Sequence, residues 1–141
     1  MATQLSFTDE FRYDDDLSGI SLPVMLSYGE KSRRVWAKVD TGSEVCLFSH
    51  EDGLKLGIPI EQGLPTTLSS LGGDVEAFGH EVIIQTGTLV FQSVVYFAKY
   101  PGLPRNILGR QGWLRKLKLA VIDYDNLLYL SVYDSSSGAF D

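Results

Sequence analysis

The chain has 141 residues, which is enough for one domain with a proper hydrophobic core and too short for two. Its formal net charge of −6 argues against a surface for nucleic acid or for an anionic membrane, and no apolar run approaches membrane-spanning length. The single cysteine, Cys46, permits no disulfide within the chain, and the first residues lack the features of a secretory signal. We therefore expect a single-domain cytoplasmic protein without nucleic-acid or membrane partners.

The N-terminal part of the sequence predicts an extension followed by a hairpin. Residues 1–17 are polar and acidic, and we interpret them as an N-terminal extension with a candidate strand at residues 5–11. The main domain is expected to span residues 18–134. It begins with two runs rich in apolar residues, 20–26 and 33–39, and the turn formers between them predict a β-hairpin.

The second strand of this hairpin leads directly into Asp40-Thr41-Gly42-Ser43, and a further apolar stretch follows. A carboxylate on a tight glycine-containing turn is held in place by the backbone, and burial there would suit it to proton chemistry. The same four residue types form ordinary surface turns equally well. The tetrapeptide alone therefore does not decide between a catalytic loop and a plain one.

The middle of the chain predicts a second hairpin and one further strand. Residues 50–59 indicate a loop with at most one helical turn, which Pro59 ends. Strand-like runs follow at residues 66–70, 75–84 and 89–97. The first two are separated by a glycine-rich tip formed by Leu71, Gly72, Gly73 and Asp74. A Gly-Gly turn of this kind is most often only a surface hairpin.

The C-terminal part contains the second informative segment, Asn-Ile-Leu-Gly-Arg at residues 106–110. Two apolar residues and a glycine there lead into a short predicted helix at residues 112–117. Candidate strands at residues 119–122 and 127–133 complete an all-β pattern. Residues 135–141 are rich in serine, and we expect a disordered tail there.

Taken together, the strand ending in Asp-Thr-Gly-Ser, the glycine-tipped hairpin and the Ile-Leu-Gly-Arg segment resemble the retropepsin family of aspartic proteases. The resemblance covers residues 18–133. It implies a closed β-barrel with a flap hairpin, one short C-terminal helix and a two-fold symmetric homodimer. It also implies an aspartic endopeptidase that cleaves extended peptides between apolar side chains and needs no cofactor.

The resemblance assigns a role to each residue of the Asp-Thr-Gly-Ser segment. Asp40 is the catalytic acid, and two-fold symmetry would bring it next to Asp40 of the partner subunit, because amide hydrolysis by carboxylates needs two that face each other. Thr41 would lend its hydroxyl to the backbone of the partner, and Gly42 would let the substrate backbone approach closely. Ser43 would hydrogen-bond the Asp40 carboxylate and draw the working pH downward.

The resemblance predicts three further features. The hairpin tip at residues 71–74 would be the flap that closes over an extended peptide. Arg110 would form a buried ion pair with Glu44 and so tie the downstream segment to the catalytic loop. The terminal strands, at residues 5–11 and 127–133, would pair between protomers.

Other interpretations remain open on the sequence. A dimeric β-barrel that binds peptides with weak or no activity would keep the same fold, and a short flap or a closed cleft would favour it. A carboxylate glycosidase would need a second, separated acid, which nothing in the sequence marks. His50 and His80 have no metal-ligand spacing with Cys46 or with each other, so we expect no metal site.

Overall fold

The computed structural model describes residues 1–17 and 19–134, and this part of the chain is built almost entirely of β-strands. The α-helix of the described chain is α1 (His50–Lys55), and three short 3-10 turns lie at Ile60–Gln62, Leu114–Lys116 and Asp123–Asp125. The predicted tail at residues 135–141 lies outside the described residues. The strands are β1 (Asp9–Arg12), β2 (Ser21–Tyr28), β3 (Lys31–Val39), β4 (Leu47–Phe48), β5 (Leu64–Ser70), β6 (Gly73–Thr86), β7 (Leu89–Ala98), β8 (Asn106–Leu108), β9 (Leu117–Ile122) and β10 (Leu127–Val132).

The larger sheet closes into a barrel. Its strand order is β2-β3-β8-β4-β7-β6-β5, and β2 also pairs with β6. The first six strands in this order therefore form a closed ring. The closing pairs include Leu26 opposite Ile84. β5 lies outside this ring and pairs only with β6 among the described strands. The expected closed barrel is therefore confirmed.

The core follows the period-two burial expected of strands that face the inside of a barrel. On β2 the buried residues are Leu22, Val24 and Leu26, and their neighbours along the strand are only half-buried. Trp113 is completely buried, and its indole nitrogen donates a hydrogen bond to Thr86 Oγ1 at 3.0 Å. A buried tryptophan usually finds such a partner for its N–H.

A second sheet of three strands, ordered β1-β10-β9, packs beside the barrel. β10, one of the two terminal strands that we expected to pair between protomers, instead has β1 and β9 of the same chain on its two edges, with Glu10 of β1 opposite Tyr129. Hydrogen bonds from the backbone and side chain of Thr88 to the Asp9 carboxylate hold β1 against the β6–β7 turn. Part of the N-terminal extension, Asp9–Arg12, is thus a strand of the folded domain.

The predicted short C-terminal helix is smaller than expected. Residues 112–117 contain a single 3-10 turn at Leu114–Lys116 rather than an α-helix. Gly112 has a φ of +94°, and Trp113 has a φ of −141° and a ψ of −72°, so neither residue has helical geometry. The 3-10 turn cannot extend beyond Lys116, because β9 begins at Leu117. No helix in residues 1–17 or 19–134 is long and apolar enough to cross a membrane.

Candidate active site

The fold brings the two informative segments of the sequence together. β8 lies between β3 and β4, parallel to β3 and antiparallel to β4. Asp40 follows directly on β3, and its amide nitrogen donates a hydrogen bond to the carbonyl oxygen of Leu108 at 2.9 Å. The loop that carries Asp40 therefore wraps around the end of β8, and its position is set by backbone hydrogen bonds.

Gly109 is required where these two segments touch. A Cβ atom built at this position would lie 2.1 Å from the carbonyl oxygen of Val45 and 2.8 Å from that of Ser43. Both neighbours are backbone, which cannot move aside as a side chain could. The close approach lets the amide of Arg110 donate to the Ser43 carbonyl at 2.9 Å and that of Gln111 to the Glu44 carbonyl at 2.8 Å.

The Asp40 carboxylate is half-buried and is oriented by its own turn. Its Oδ1 atom accepts a hydrogen bond from the amide of Gly42 at 2.9 Å. The amide of Ser43 donates to the Asp40 carbonyl at 3.1 Å. Asp is favoured in such turns because its side chain can accept from a backbone amide two residues on. The carboxylate is thus held by the backbone, as the sequence predicts.

Ser43 does not support Asp40 in the way we expected. Its hydroxyl donates to the carbonyl oxygen of Val45 at 2.7 Å, and it does not hydrogen-bond the Asp40 carboxylate. A serine side chain readily satisfies itself on a nearby backbone carbonyl, and that local bond wins here. Ser43 therefore gives no support to the expected acidic working pH.

A cleft of about 910 Å³ opens above this loop, and we call it the Asp40 cleft. Seven of the predicted site residues line it: Asp40, Gly42, Ser43, Glu44, Gly72, Gly73 and Asp74. Thr41 is exposed but is not part of this lining, and the same holds for Leu71 and Arg110. The structure therefore places the Asp-Thr-Gly-Ser loop and the glycine-tipped hairpin on the same cavity.

The hairpin formed by β5 and β6 ends in a tight turn beside the Asp40 cleft. Ser70 pairs with Gly73, so the tip is a two-residue turn of Leu71 and Gly72. Gly73 has a φ of +115°, a backbone conformation that residues other than glycine rarely adopt. The Ser70 hydroxyl donates to the Gly73 carbonyl at 2.8 Å and so fastens the turn. The predicted hairpin is confirmed, with a tighter tip than the sequence indicated.

Sequence reasoning missed several residues that line the Asp40 cleft. Most are apolar and come from three separate parts of the chain: Leu47, Leu68, Val75, Leu103, Pro104 and Ile107. Arg105 also lines it. One feature of the sequence could have indicated some of these residues, namely the proline-containing loop immediately before the Asn-Ile-Leu-Gly segment. A loop that ends at a site residue must pass beside the site.

The predicted ion pair between Arg110 and Glu44 is not formed. Both residues belong to the described chain, both are exposed, and no ion pair or hydrogen bond joins their side chains. Backbone hydrogen bonds between the two segments already hold them together. An ion pair is formed elsewhere, between Arg33 Nε and Asp52 Oδ1 at 2.5 Å.

Asn106 supports the site from behind and was not singled out in the sequence. It is buried, its Oδ1 atom accepts from the amide of Ser49 at 2.9 Å, and its Nδ2 donates to the Trp36 carbonyl at 2.9 Å. Nδ2 also lies 3.3 Å from the buried carboxylate of Asp52. The Asn106 side chain thus joins β8 to β3 and to the start of α1. These bonds fix the position of β8, to which the amide of Asp40 is hydrogen-bonded.

Cys46 lies beneath the loop and is unsuited to nucleophilic chemistry. It is completely buried, and burial raises the pKa of its thiol to about 11, although the amide of Gly109, 3.4 Å from Sγ, acts in the opposite direction. The two histidines contact backbone carbonyls, His50 that of Ala98 and His80 that of Ile60. Residues 1–17 and 19–134 contain no group of His, Cys, Asp and Glu arranged to hold a metal ion.

Comparison with known proteins identifies the fold. No family model matches the sequence, and no curated protein does. Among solved structures, a retropepsin-like aspartic protease from Rickettsia conorii superposes with a TM-score of 0.63 at 18% identity, covering 88% of this chain and 99% of that one. EIAV protease in complex with the inhibitor HBY-793 superposes with a TM-score of 0.53 at 20% identity, covering 69% of this chain and 86% of that one. The chain therefore has the fold of the retropepsin-like aspartic proteases.

Proposed function

We propose that the protein is an aspartic endopeptidase that works as a homodimer, with one Asp40 from each protomer at the two-fold axis. The observation that carries the proposal is the position of Asp40. It lies half-buried on a backbone-held turn, in a cleft that the β5–β6 hairpin also lines. The fold is that of proteins described as aspartic proteases.

The chemistry follows from two facing carboxylates. Like charges in contact cannot both ionise, so the pair shares one proton. The ionised carboxylate removes a proton from a water molecule, whose oxygen attacks the scissile carbonyl carbon, while the protonated carboxyl group polarises the carbonyl oxygen. Proton transfer to the amide nitrogen then releases the amine as the C–N bond breaks. Water is thereby added across the peptide bond, and no further reactant is needed.

The neighbouring residues have supporting roles in this proposal. Thr41 is exposed and makes no hydrogen bond to another described residue, as expected for a hydroxyl that reaches the backbone of a partner. Gly42 leaves room for the substrate backbone, because it has no side chain between the loop and the cleft. The β5–β6 hairpin closes over an extended peptide and excludes water from the reaction.

We propose that the dimer forms through the free edge of β9. Since β1 and β10 pair within the chain, the free edges of the smaller sheet are β1 and β9. β1 carries charged residues on a four-residue strand, which discourages edge pairing. β9 has six residues with one charge, and it leaves Val121 40% and Ile122 45% exposed. Pairing of β9 with its copy would cover both the edge and these side chains.

The alternative is a peptide-binding barrel without activity. A short flap or a closed cleft would favour it, but the hairpin has strands of seven and fourteen residues and the Asp40 cleft has a volume of about 910 Å³. Both features support the enzyme.

The lone, buried Cys46 is compatible with a reducing compartment, and we propose a cytoplasmic location on that basis.

A peptide-library digest tests the proposal. The parent protein and Asp40→Asn would be incubated with the library at several pH values, and the products read by mass spectrometry. We expect cleavage by the parent and none by Asp40→Asn, because the amide keeps the shape of the carboxylate but cannot exchange the shared proton. Binding of peptides by both proteins with cleavage by neither would establish the binding module instead.

A further inference from the structure

The Asp40 cleft has an uneven charge. Besides Asp40, its charged lining consists of Glu44, Asp74 and Arg105. Glu44 belongs to the loop that follows Asp40, and Asp74 belongs to β6, next to the tip of the β5–β6 hairpin. An extended peptide bound between the loop and the hairpin would therefore pass between two carboxylates that take no part in the chemistry.

Glu44 has a fixed backbone and an unengaged side chain. Its carbonyl accepts the amide of Gln111 at 2.8 Å, which holds the residue in place. Its carboxylate is exposed and makes no hydrogen bond or ion pair with another described residue, because Arg110 does not pair with it. A carboxylate at a fixed place on a cleft wall is available to a cationic group of a ligand.

Asp74 is in the same situation on the β5–β6 hairpin. It pairs with Ser69 across the hairpin, so the strand fixes its backbone, and its side chain is exposed without a partner among the described residues. Arg105 differs, since it is already engaged in another interaction. The charges open to a ligand in this cleft are thus predominantly negative.

We propose that Glu44 and Asp74 make the enzyme select peptides with lysine or arginine close to the scissile bond. The proposal rests on the proposed function, because it assigns a substrate class to the same cleft. The apolar lining around Leu47, Val75 and Ile107 still accepts apolar side chains, so the basic residue would occupy a neighbouring position of the peptide. A two-fold dimer contains two copies of Glu44 and two of Asp74. The peptide would therefore meet one Glu44 and one Asp74 on each side of the scissile bond.

The test compares peptides that differ in one side chain. One cleavable sequence would carry lysine, norleucine or glutamate in turn at each position flanking the scissile bond, and kcat/KM would be measured for every peptide. We expect lysine to exceed norleucine by roughly two- to fivefold at one position or more, the range for exposed ion pairs. Added salt should reduce this ratio, because it screens exposed charges.

Variants separate the cleft charges from the net charge of the protein. In the double variant Glu44→Gln/Asp74→Asn the lysine-to-norleucine ratio should approach one. In Glu30→Gln, which removes an exposed carboxylate from the β2–β3 turn, the ratio should stay at the parent value. Equal rates for lysine and norleucine in the parent, a preference for glutamate, or a lysine preference that survives in the double variant would each overturn the proposal.

Failure of this inference can be distinguished from failure of the proposed function. Asp40-dependent cleavage without a preference for lysine would contradict only the selection of basic residues. If no peptide is cleaved, the proposed function fails. The affinities of the lysine and norleucine peptides for the protein, measured by calorimetry, would then be compared instead of kcat/KM. A higher affinity for the lysine peptide that depends on Glu44 and Asp74 would then support the inference, and equal affinities would overturn it.

Discussion

The amide nitrogen of Asp40 lies 2.9 Å from the carbonyl oxygen of Leu108, and this hydrogen bond joins the two segments on which the proposed activity depends. The segments are far apart in the sequence, yet each determines the position of the other. β8 places the loop, and the loop in turn covers the end of β8. Changes in the downstream segment should therefore act on the site through the backbone.

The first prediction concerns Gly109. In Gly109→Ala the new methyl group would lie 2.1 Å from the Val45 carbonyl oxygen, so the loop must move away from β8. We expect the free energy of unfolding to fall by about 1–3 kcal/mol, the range for forced overpacking, and peptidase activity to fall with it. Urea unfolding followed by tryptophan fluorescence measures the first effect.

Arg110→Ala is the matched control for this prediction. The Arg110 side chain is exposed and unpaired with Glu44, and the backbone hydrogen bond from its amide to Ser43 survives the substitution. We expect a change within about 0.5 kcal/mol, as for ordinary surface substitutions. A large loss of stability in Arg110→Ala, or none in Gly109→Ala, would contradict this account of how the segments are joined.

Local patterns were readable from the sequence, and long-range pairings were not. Alternating apolar residues and turn formers predicted the β2–β3 and β5–β6 hairpins, because such strands pair with their neighbours in the chain. The pairing of β1 with β10 joins residues at opposite ends of the chain, and no local signal specifies it. The resemblance placed Asp40 beside the Leu108–Gly109 segment correctly, but it misassigned the side-chain partners of Ser43 and Arg110.

The second prediction concerns the edge of β9. Val121→Lys places a charge on that edge, and burying this charge in a dimer would be unfavourable. We expect the dimer dissociation constant, measured by analytical ultracentrifugation, to rise by at least about tenfold. Val90→Lys is the control, because Val90 is similarly exposed but lies on β7. Equal dissociation constants for the two variants would show that the protomers do not meet at β9.

The third prediction concerns the pH dependence of stability. Partial burial alone would raise the pKa of Asp9, but hydrogen bonds from Thr88 and Thr8 outweigh it and lower the pKa below the ordinary 3.8. Asp9 therefore stabilises the fold above the pKa of the unfolded chain, and this stabilisation is lost as the pH falls through the lowered folded value. Asp9→Asn should be less stable than the parent at neutral pH, and the difference should shrink at acidic pH.

Thermal unfolding of both proteins from neutral pH to about pH 2.5 measures this difference. Glu30→Gln controls for the change in net charge, because Glu30 is exposed in a turn. A stability difference between Asp9→Asn and the parent that stays constant across the whole pH range would contradict the assigned role of the Asp9 carboxylate.

The fourth prediction concerns the tip of the β5–β6 hairpin. Gly73 has a φ of +115°, so Gly73→Val strains the turn although no atom lies within 4 Å of the new Cβ. We expect kcat/KM to fall by about tenfold, as a strain of 1–2 kcal/mol displaces the tip from its closed position. In the control Gly72→Ala the nearest atom to the new Cβ would be 3.9 Å away, so the rate should change little. Unchanged kinetics in Gly73→Val would show that this hairpin is not a flap.

The central claim is that one active site is built from two chains, and mixing parent protein with Asp40→Asn tests it most directly. The two proteins would be equilibrated at a fixed total concentration, and the initial rate of peptide cleavage measured against the fraction of parent chains. If both carboxylates are needed, the rate follows the square of that fraction and falls to about one quarter at equal amounts. A rate that falls in direct proportion to the parent fraction would contradict the account, because each protomer would then act with its own Asp40 alone.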